Sequence, residues 1–349
     1  MKITQVPTAQ HETVLRVEDD KTSLIGFVAI HSTRLGPAAG GLRMRPYESE
    51  DEALEDVLRL SRGMTHKNAA AGLPLGGGKA VIIGDPATLK TPALLRTFGQ
   101  AIETLDGRYW TAEDMGMTPS DMEEISKETQ YVAGLPGGVF ASGDPSPITA
   151  RGIFNSIRTT TRHALSSEDL TGRKVAVQGL GHVGTHLCNM LHGAGADLIV
   201  ADIDETRVAK AVSGFGAKAS DPVGILSTEA DILAPCAIGA VLNVATIPTL
   251  KVKAVCGGAN NQLATPEDGA RLHQRGILYA PDFVANAGGI INVATEILKI
   301  ENRQGWVDEK LDAMDQTLDR ILTRARQLDC SPDDVATGIV DEMIAPKAA

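Results

Sequence analysis

The 349-residue sequence has no excess of positive charge, no long apolar run and no paired cysteine motif. Its formal net charge is -11, and it has no block of lysine and arginine that would bind nucleic-acid phosphates. No stretch suits a membrane span, and the first twenty residues carry charges where a signal peptide needs apolar residues. These absences favour a cytoplasmic protein with a small-molecule partner, and disfavour nucleic-acid and membrane partners.

The cysteine and histidine residues give little sign of a metal site. The cysteines are widely separated, with no CxxC pair and no spacing typical of zinc ligands. His182 and His186 lie one helical turn apart, but the residues between them lack the glutamate of a zinc-protease helix. We therefore expect reduced thiols and no bound metal.

The length of the chain favours two domains around a cleft. Turn-forming residues gather at Gly134–Gly138 and Ser142–Pro147, and we place the hinge between the domains there. We expect the first domain in residues 1–135, with a C-terminal helix at about 327–349 returning to it. The second domain is expected in residues 136–326.

The first domain shows alternating extended and helical patterns, which predict an α/β fold. From Glu52 to Arg62, apolar residues are spaced among charged ones as in an amphipathic helix. Glycine-rich segments at Gly36–Gly41 and Gly72–Gly78 are expected to interrupt the regular structure, because glycine is disfavoured inside helices and strands.

The second domain has the pattern of a doubly wound, Rossmann-like parallel sheet. Strands are predicted at Lys174–Gln178 and Leu198–Ala201, with a helix from about His182 to His192 between them. This alternation implies a parallel sheet covered by helices on both faces. Further strands are predicted at Asp231–Ala234, Ala254–Cys256 and Ile277–Ala280, and a charged amphipathic helix at Asn302–Arg326.

A GxGxxG motif, Gly179, Gly181 and Gly184, lies between the first of these strands and its helix. The first glycine allows a tight turn, the second lets the backbone approach a pyrophosphate, and the third allows close packing of helix on strand. Asp202 ends the next strand, where a carboxylate binds ribose hydroxyls and repels the extra phosphate of NADP. The alternative is that the glycines serve only a turn. The preceding strand, the spacing of the glycines and the acidic Asp202 together favour NAD as the cofactor.

Lys67 and Lys79 lie in otherwise apolar surroundings, where lysine is seldom found without a function. The glycine run before Lys79 is not a Walker A loop, because Leu73 replaces its glycine and Ala80 its hydroxyl. One lysine could bind a carboxylate, and the other, partly desolvated near a like charge, could exchange protons near neutral pH. The alternative is a solvated pair of lysines that flanks a glycine turn.

Several separated motifs resemble one known family over nearly the whole chain. They are Leu35–Gly41, Leu60–Gly72, Leu75–Lys79, Thr111–Gly116, Pro145–Ala150, Ala234–Ala237, Gly258–Gln262 and Tyr279–Gly289. With these motifs the sequence resembles the Glu/Leu/Phe/Val dehydrogenases, and most of all their leucine dehydrogenase branch. The resemblance implies NAD-dependent interconversion of an apolar L-amino acid with its 2-oxo acid and ammonia.

The resemblance also implies roles for individual residues. Lys67 looks like the lysine that holds the substrate carboxylate, near the backbone at Gly40 and Gly41. Lys79 looks like the catalytic lysine that activates water, and Asp114 like the carboxylate that exchanges protons with the substrate amine. The other implied contacts are Asn261 with the substrate, Thr149 and Asn286 with the nicotinamide carboxamide, and His182, Val183, Cys236 and Ala237 with the cofactor.

The side-chain pocket implied by the resemblance is apolar and contains Ala39, Ala112, Ile290 and Val293. It has no basic residue to receive a glutamate side chain. Ala112 and the segment from Ile290 to Val293 are similar to the leucine enzymes, whereas Ala39 matches phenylalanine enzymes. We expect leucine, valine and isoleucine as main substrates, poorly separated because one methylene contributes only about 1–3 kcal/mol. Phenylalanine is the alternative.

Two other functions need comparison with this one. A catalytically silent NAD-binding regulator would be expected to lack Lys79 or Asp114, and both are present. A hydroxy-acid dehydrogenase would usually combine a histidine base with an arginine clamp, rather than two lysines and an aspartate. The resemblance further implies a homo-oligomer, without fixing the number of subunits.

Overall fold

The computed structural model describes residues 1–345, which form two compact units according to their internal contacts. The chain first passes from one unit to the other at Asp144 and Pro145, within the turn-rich segment of the sequence. The first unit comprises Met1–Asp144, Asn292–Val307 and the chain from Met343, and the second comprises Pro145–Ile291 and Asp308–Glu342.

The first unit is built on a mixed sheet. Its elements in chain order are β1 (Lys2–Gln5), β2 (Thr13–Asp19), β3 (Leu24–Ser32), β4 (Ala38–Arg45), α1 (Glu50–Ala70), β5 (Gly76–Ile83), α2 (Pro92–Glu103), β6 (Tyr109–Glu113) and α3 (Pro119–Ser126). The strand order is β1-β2-β3-β5-β4-β6. The first three strands and β5 pair antiparallel, whereas β5, β4 and β6 run parallel, so the carboxyl ends of these three strands lie at one edge.

Helix α1 is longer than the amphipathic segment predicted from the sequence. Ser49 caps its N-terminus by accepting a hydrogen bond from Glu52 N at 3.1 Å, and acidic residues in the first turn complement the helix dipole. Ala53 and Val57 pack against β2, β3 and β5 in one apolar cluster. The helix continues through Lys67 in its last turn, so packing on the sheet extends it past the charged segment.

The glycine run at Gly76–Gly78 is part of β5, and the prediction that it interrupts regular structure was wrong. A Cβ atom on Gly77 would lie 2.1 Å from Thr65 N of α1, and one on Gly78 would lie 2.6 Å from the Tyr109 ring. The glycines therefore allow α1 and β6 side chains to approach the strand closely. The same prediction was also wrong for the last residues of Gly36–Gly41, because Ala38 to Gly41 lie in β4.

The other face of this sheet carries the larger core of the first unit. Leu94, Leu95 and Phe98 of α2 and Met122 and Ile125 of α3 form one buried cluster with inward-facing strand residues. Full burial of each large apolar side chain contributes about 1.5–3 kcal/mol. Helices therefore cover both faces and hold the strands in a fixed register.

The second unit contains a wholly parallel sheet. Its elements are α4 (Ser146–Leu165), β7 (Lys174–Gln178), α5 (His182–Gly193), β8 (Asp197–Ala201), α6 (Glu205–Phe215), β9 (Lys218–Ala219), β10 (Ile232–Pro235), β11 (Ala254–Val255), α7 (Glu267–Gln274), β12 (Leu278–Tyr279) and α8 (Asp282–Ala285). The strand order β12-β11-β10-β7-β8-β9 reverses direction at β7. The predicted Rossmann-like doubly wound sheet is confirmed. Ligands of such sheets bind beyond the carboxyl ends of the strands, where the order reverses.

The remaining helices are α9 (Gly288–Ile297), α10 (Arg303–Leu328) and α11 (Pro332–Ile344). Helix α10 corresponds to the predicted charged amphipathic helix. The sequence interpretation grouped residues 327–349 with the first domain, whereas contacts group the chain as far as Glu342 with the second unit. Residues 346–349 of that prediction lie outside the described residues. Within residues 1–345, none of the helices has the length and apolar character needed to cross a membrane.

Candidate active site

Lys79 and Asp114 meet in the first unit. Lys79 lies in β5, Asp114 directly follows β6, and β4 runs between these two strands. The Lys79 ammonium donates a short hydrogen bond to Oδ2 of Asp114. The side chains are 7% and 27% exposed, respectively. The pair is therefore shielded from bulk water, with the carboxylate as the more accessible partner.

Arg43 is a second cation at the same carboxylate. Its Nη2 lies 3.3 Å from Oδ2 of Asp114, and its Nη1 donates to Asp56 of α1 at 3.1 Å. Burial raises the pKa of Asp114, but the charges of Lys79 and Arg43 outweigh burial and hold that pKa at about 2. Asp114 is therefore ionised at neutral pH.

The sequence interpretation missed Arg43. The available signal was the alternation of side chains along β4, which places Arg43 on the same face as Gly41. Gly41 is the glycine next to the carboxylate, because a Cβ atom there would lie 2.8 Å from Cβ of Asp114. The sequence thus indicated the face on which Arg43 lies but not its pairing with Asp114, which depends on the contact of β4 with β6.

Gly40 is enclosed by its neighbours in the same way. A Cβ atom on Gly40 would lie 1.9 Å from the carbonyl oxygen of Gly78 and 3.0 Å from Cγ of Met64. The absence of side chains at Gly40 and Gly41 therefore lets β5, α1 and Asp114 close around this part of β4.

Lys67 lies half-buried in the last turn of α1, which is fixed on the strand that carries Lys79. The neighbouring Asn68 donates from Nδ2 to the carbonyl oxygen of Gly76 at 2.5 Å. Thr65 occupies the space that a side chain on Gly77 would need. Because Gly77 and Lys79 share one face of β5, the Lys79 side chain leaves the sheet on the side of α1.

The four predicted pocket residues have different environments. Ala39 has no exposed surface and pairs in the sheet with Gly77 and Trp110. Ala112 is half-buried and pairs with Gly41, which places it beside the lysine–aspartate pair. Of the others, Val293 is half-buried in the first unit and Ile290 is half-buried in the second.

The glycine motif forms a tight turn between β7 and α5. Gly179 has a φ of +98°, and a Cβ atom there would lie 2.8 Å from Ala237. A Cβ atom on Gly184 would lie 2.0 Å from the carbonyl oxygen of Gly179, so only glycine permits this helix–strand contact. Gly181 is the N-cap residue of α5 and has open space beside it. The start of the helix is therefore accessible to an anion.

A cavity of about 640 Å³ lies beside this turn, at the carboxyl ends of β7, β8 and β10. His182 is exposed in the first turn of α5, and Val183 packs near Gly258, so neither forms part of the cavity wall. Five predicted cofactor residues do form part of it: Gly179, Gly181, Asp202, Cys236 and Ala237.

Three large, exposed apolar residues of the cavity wall were missed from the sequence. Ile203, Val223 and Ile238 are 91%, 79% and 69% exposed. Exposed aliphatic side chains around a cavity of this size suit the flat faces of a planar ring. In the sequence they resemble ordinary loop residues, because a single exposed apolar side chain is common.

The carboxylate of Asp202 is fixed by two backbone amides. Oδ2 accepts from Leu180 N at 2.6 Å, and Oδ1 accepts from Asp204 N at 2.9 Å. Arg207, another residue missed from the sequence, lies 3.9 Å from Asp202 and 3.3 Å from Asp204. Asp202 therefore presents a preorganised negative charge to the cavity.

Thr149 lies beside Gly288 and Gly289, which follow Asn286 in the second unit. Thr149 donates from Oγ1 to the carbonyl oxygen of Pro145 at 2.9 Å, and a Cβ atom on Gly289 would lie 2.8 Å from that Oγ1. The side-chain amide nitrogen of Asn286 donates to Oδ1 of Asn260 at 2.8 Å. Oδ1 of Asn286 is buried without a hydrogen-bond partner among the described residues. Such an acceptor suits the NH₂ group of a carboxamide.

Asn261 lies in the loop that follows β11. Its side chain is exposed and its φ is +52°, in the left-handed region. The two units thus show a shielded lysine–aspartate pair and, separately, the glycine turn, cavity and fixed carboxylate of a dinucleotide-binding domain. These features define a nicotinamide-dependent dehydrogenase.

Comparisons with known proteins show the family to which this dehydrogenase belongs. Residues 7–131 match the model of the Glu/Leu/Phe/Val dehydrogenase dimerisation domain, and residues 203–336 match the model of glutamate/leucine/phenylalanine/valine dehydrogenase. The chain is 48% identical to leucine dehydrogenase of Geobacillus stearothermophilus over 338 residues, which cover 97% of this chain and 90% of the relative. It is also 48% identical to phenylalanine dehydrogenase of Lysinibacillus sphaericus over 295 residues, which cover 83% and 77%.

A solved structure agrees with these relatives. L-Tryptophan dehydrogenase from Nostoc punctiforme superposes with a TM-score of 0.84 at 40% identity, and the match covers 96% of both chains. The chain belongs to the Glu/Leu/Phe/Val dehydrogenase family and is an amino-acid dehydrogenase. The family and the enzyme class predicted from the sequence are confirmed.

Proposed function

We propose that the protein catalyses the NAD-dependent oxidative deamination of leucine, valine and isoleucine to their 2-oxo acids and ammonia, and the reverse reductive amination. The observation that carries this proposal is the shielded ion pair of Lys79 with Asp114, held beside Arg43. The leucine dehydrogenase relative, which matches nearly the whole chain, supports the choice of aliphatic substrates.

The ion pair supplies the acid–base chemistry. Ionised Asp114 accepts a hydrogen bond from the substrate amine, and Lys79 in its neutral form takes a proton from the water that attacks the imine carbon. Lys79 then passes this proton to Asp114, to which it is hydrogen-bonded, and Asp114 delivers it to the nitrogen that leaves as ammonia. Lys67 holds the substrate carboxylate as a point charge.

NAD fits the residues of the second unit. Nicotinamide, when bound, accepts the hydride of the substrate Cα or returns it. The N-terminus of α5 at Gly181 receives the pyrophosphate, and Asp202 accepts hydrogen bonds from the adenosine ribose. The unpartnered Oδ1 of Asn286, together with Thr149 beside Gly289, receives the carboxamide. The charge of Asp202, fixed by Leu180 N, disfavours the extra phosphate of NADP.

The apolar residues proposed for the substrate pocket differ in how they act. Ala112, next to Gly41, is well placed to contact the substrate side chain, and Ile290 and Val293 have accessible apolar surface. Ala39 has no accessible surface, so it affects the pocket through its small side-chain volume and not through direct contact with the substrate. Phenylalanine remains the second candidate substrate, because a phenylalanine dehydrogenase is also 48% identical to the chain.

We further propose that the first unit binds substrate, that the second binds cofactor, and that the enzyme is a cytoplasmic homo-oligomer. The first-unit match to a dimerisation domain supports the assembly. Free thiols at Cys188, Cys236, Cys256 and Cys330 agree with a reducing compartment. A single subunit mass in light scattering would contradict the assembly.

A substrate panel tests the proposal. The assay follows formation of the reduced cofactor by its absorbance, with either NAD or NADP present. The substrates tested are leucine, valine, isoleucine, phenylalanine and glutamate. The proposal expects the highest kcat/KM for an aliphatic substrate with NAD. A far higher value for phenylalanine would overturn the substrate preference, and reduction of 2-oxo acids without ammonia would indicate a hydroxy-acid dehydrogenase.

A further inference from the structure

The loop from Gly257 to Gln262 follows β11 and carries Asn261. Ala240 N donates to the carbonyl oxygen of Asn261 at 2.7 Å, and a Cβ atom on Gly257 would lie 2.3 Å from the carbonyl oxygen of Pro235. Asparagine adopts the left-handed backbone of Asn261 readily, so the contacts at Ala240 and Gly257 are what hold the loop. The loop is therefore kept in place by its neighbours, and those neighbours determine where the Asn261 side chain lies.

Asp282 holds the end of this loop. Its Oδ2 accepts from Gln262 N at 2.8 Å, and its own backbone N donates to the Tyr279 hydroxyl at 3.3 Å. Asp282 is 9% exposed and Gln262 is fully buried, so water does not replace this hydrogen bond. Asp282 is also the first residue of α8, which leads directly to Asn286.

The same loop is closed by two amide side chains. Gln262 donates from Nε2 to the carbonyl oxygens of Gly257 and Ala259 at 3.0 Å each. Asn286 reaches the loop from α8 through its hydrogen bond to Asn260. One end of α8 therefore binds the loop through a carboxylate and the other through an amide, with Asn261 between the two attachment points.

We propose that Asp282 is a positioning residue, which acts through the backbone of Gln262 to hold Asn261 in place for the substrate. The inference rests on the proposed function, together with the substrate contact that the family resemblance implies for Asn261. For the loop, the required property of Asp282 is an acceptor at Oδ2, because this oxygen binds the neutral backbone amide of Gln262. An asparagine side chain can provide that acceptor, whereas alanine cannot.

Three variants and a control test the inference in the full-length enzyme. Asp282→Ala removes the acceptor, Asp282→Glu displaces it by one methylene, and Asp282→Asn retains it. The control is Asp268→Ala, because Asp268 is 1% exposed and its carboxylate binds Thr265 and Arg271, neither of which is a proposed contact residue. For each protein, kcat and the KM for leucine and NAD are measured, together with the unfolding temperature.

The inference predicts a leucine KM about 10- to 100-fold higher for Asp282→Ala and Asp282→Glu, since small misplacement of a binding group reduces activity on that scale. Asp282→Asn is expected to remain within about threefold of the wild type, since it retains the acceptor. The Asp268→Ala enzyme should keep the wild-type leucine KM even if its unfolding temperature falls. A purely structural role would lower the unfolding temperature and the active fraction but leave KM unchanged.

Three results would overturn the inference: a wild-type leucine KM in folded Asp282→Ala, equal KM changes in Asp282→Ala and Asp268→Ala, or a defect in Asp282→Asn as large as that of alanine. Should Asp282→Ala fail to fold, a wild-type KM in Asp282→Glu overturns it equally. If the wild-type enzyme itself forms no NADH from leucine, the proposed function fails instead.

Discussion

Lys79 and Asp114 form an ion pair across β4, and the lysine is the more deeply buried partner. The charge of Lys79 opposes the effect of burial on the Asp114 carboxyl, with help from Arg43. Removal of the lysine charge should therefore leave burial as the dominant influence on the pKa of Asp114.

We predict that Lys79→Met raises the pKa of Asp114 well above its wild-type value of about 2. The measurement is a carboxyl-carbon NMR titration of the assigned Asp114 signal. Lys90→Met is the matched control, because it breaks a similar pair, Lys90 with Asp121 at 2.6 Å, in the same unit. An Asp114 titration unchanged by Lys79→Met would contradict the assigned cause.

Gly41 should tolerate no side chain. A Cβ atom there would lie 2.8 Å from both Cβ of Asp114 and the carbonyl oxygen of Glu113, so Gly41→Ala must displace the end of β6. We predict a loss of about 1–3 kcal/mol in the free energy of unfolding, and lower turnover in the variant that remains folded. Urea unfolding and the NADH assay measure the two effects.

Gly63→Ala serves as the comparison for Gly41→Ala. Gly63 lies within α1, and a Cβ atom there would have nothing within 4 Å, so alanine should stabilise the helix by about 0.5–1 kcal/mol. Similar losses of stability in both variants would show that close contact with Asp114 is not the cause.

Several features of the second unit were predictable because they depend on local sequence. The strand Lys174–Gln178, the glycine turn and Asp202 lie within one β-α-β unit, whose geometry fixes their relative positions. By contrast, Arg43 meets Asp114 only because β4 and β6 pair in parallel, far apart in the sequence. Long-range pairing of this kind leaves no local pattern.

The glycine segments show a second limit. Gly76–Gly78 has the composition of a loop, yet it forms a strand because α1 and Tyr109 approach it from opposite sides. Tertiary packing overrides local preference there. Exposed Ile203 and Ile238 were missed for another reason, since the cavity that gives them a role appears only after the strands are ordered.

Asp202 should control the choice between NAD and NADP. We predict that Asp202→Ala lowers the ratio of kcat/KM for NAD to that for NADP by at least roughly tenfold, because a fixed negative charge at the ribose is lost. Arg207 would then be available to an added phosphate. Asp197→Ala is the control, since Asp197 is exposed at the start of β8 and lies outside the cavity wall. An unchanged ratio in Asp202→Ala would show that cofactor selection lies elsewhere.

Asp333 should make stability depend on pH. Burial, and then the charge of Asp282, raise its pKa from 3.8 to about 7. A raised carboxyl pKa means that the folded state holds a proton which the unfolded state releases. Its stabilising contribution is therefore complete below about pH 3.8 and is lost as the pH rises to about 7.

We predict that Asp333→Asn, which stays neutral, gains stability relative to the wild type as the pH rises from about 5 to about 8. Unfolding temperatures at several pH values measure the difference. Asp312→Asn, at an exposed position on α10, should show no such trend. A difference between Asp333→Asn and wild type that is constant with pH would contradict the raised pKa.

We infer that Lys79 and Asp114 together carry out the acid–base chemistry of an amino-acid dehydrogenase. The most direct measurement is NADH oxidation with the 2-oxo acid of leucine, with and without ammonia, for the wild type, Lys79→Ala and Asp114→Asn. We predict ammonia-dependent turnover by the wild type and losses of about 10²–10⁴-fold in both folded variants. Near-normal turnover in either variant, or wild-type turnover without ammonia, would contradict that claim.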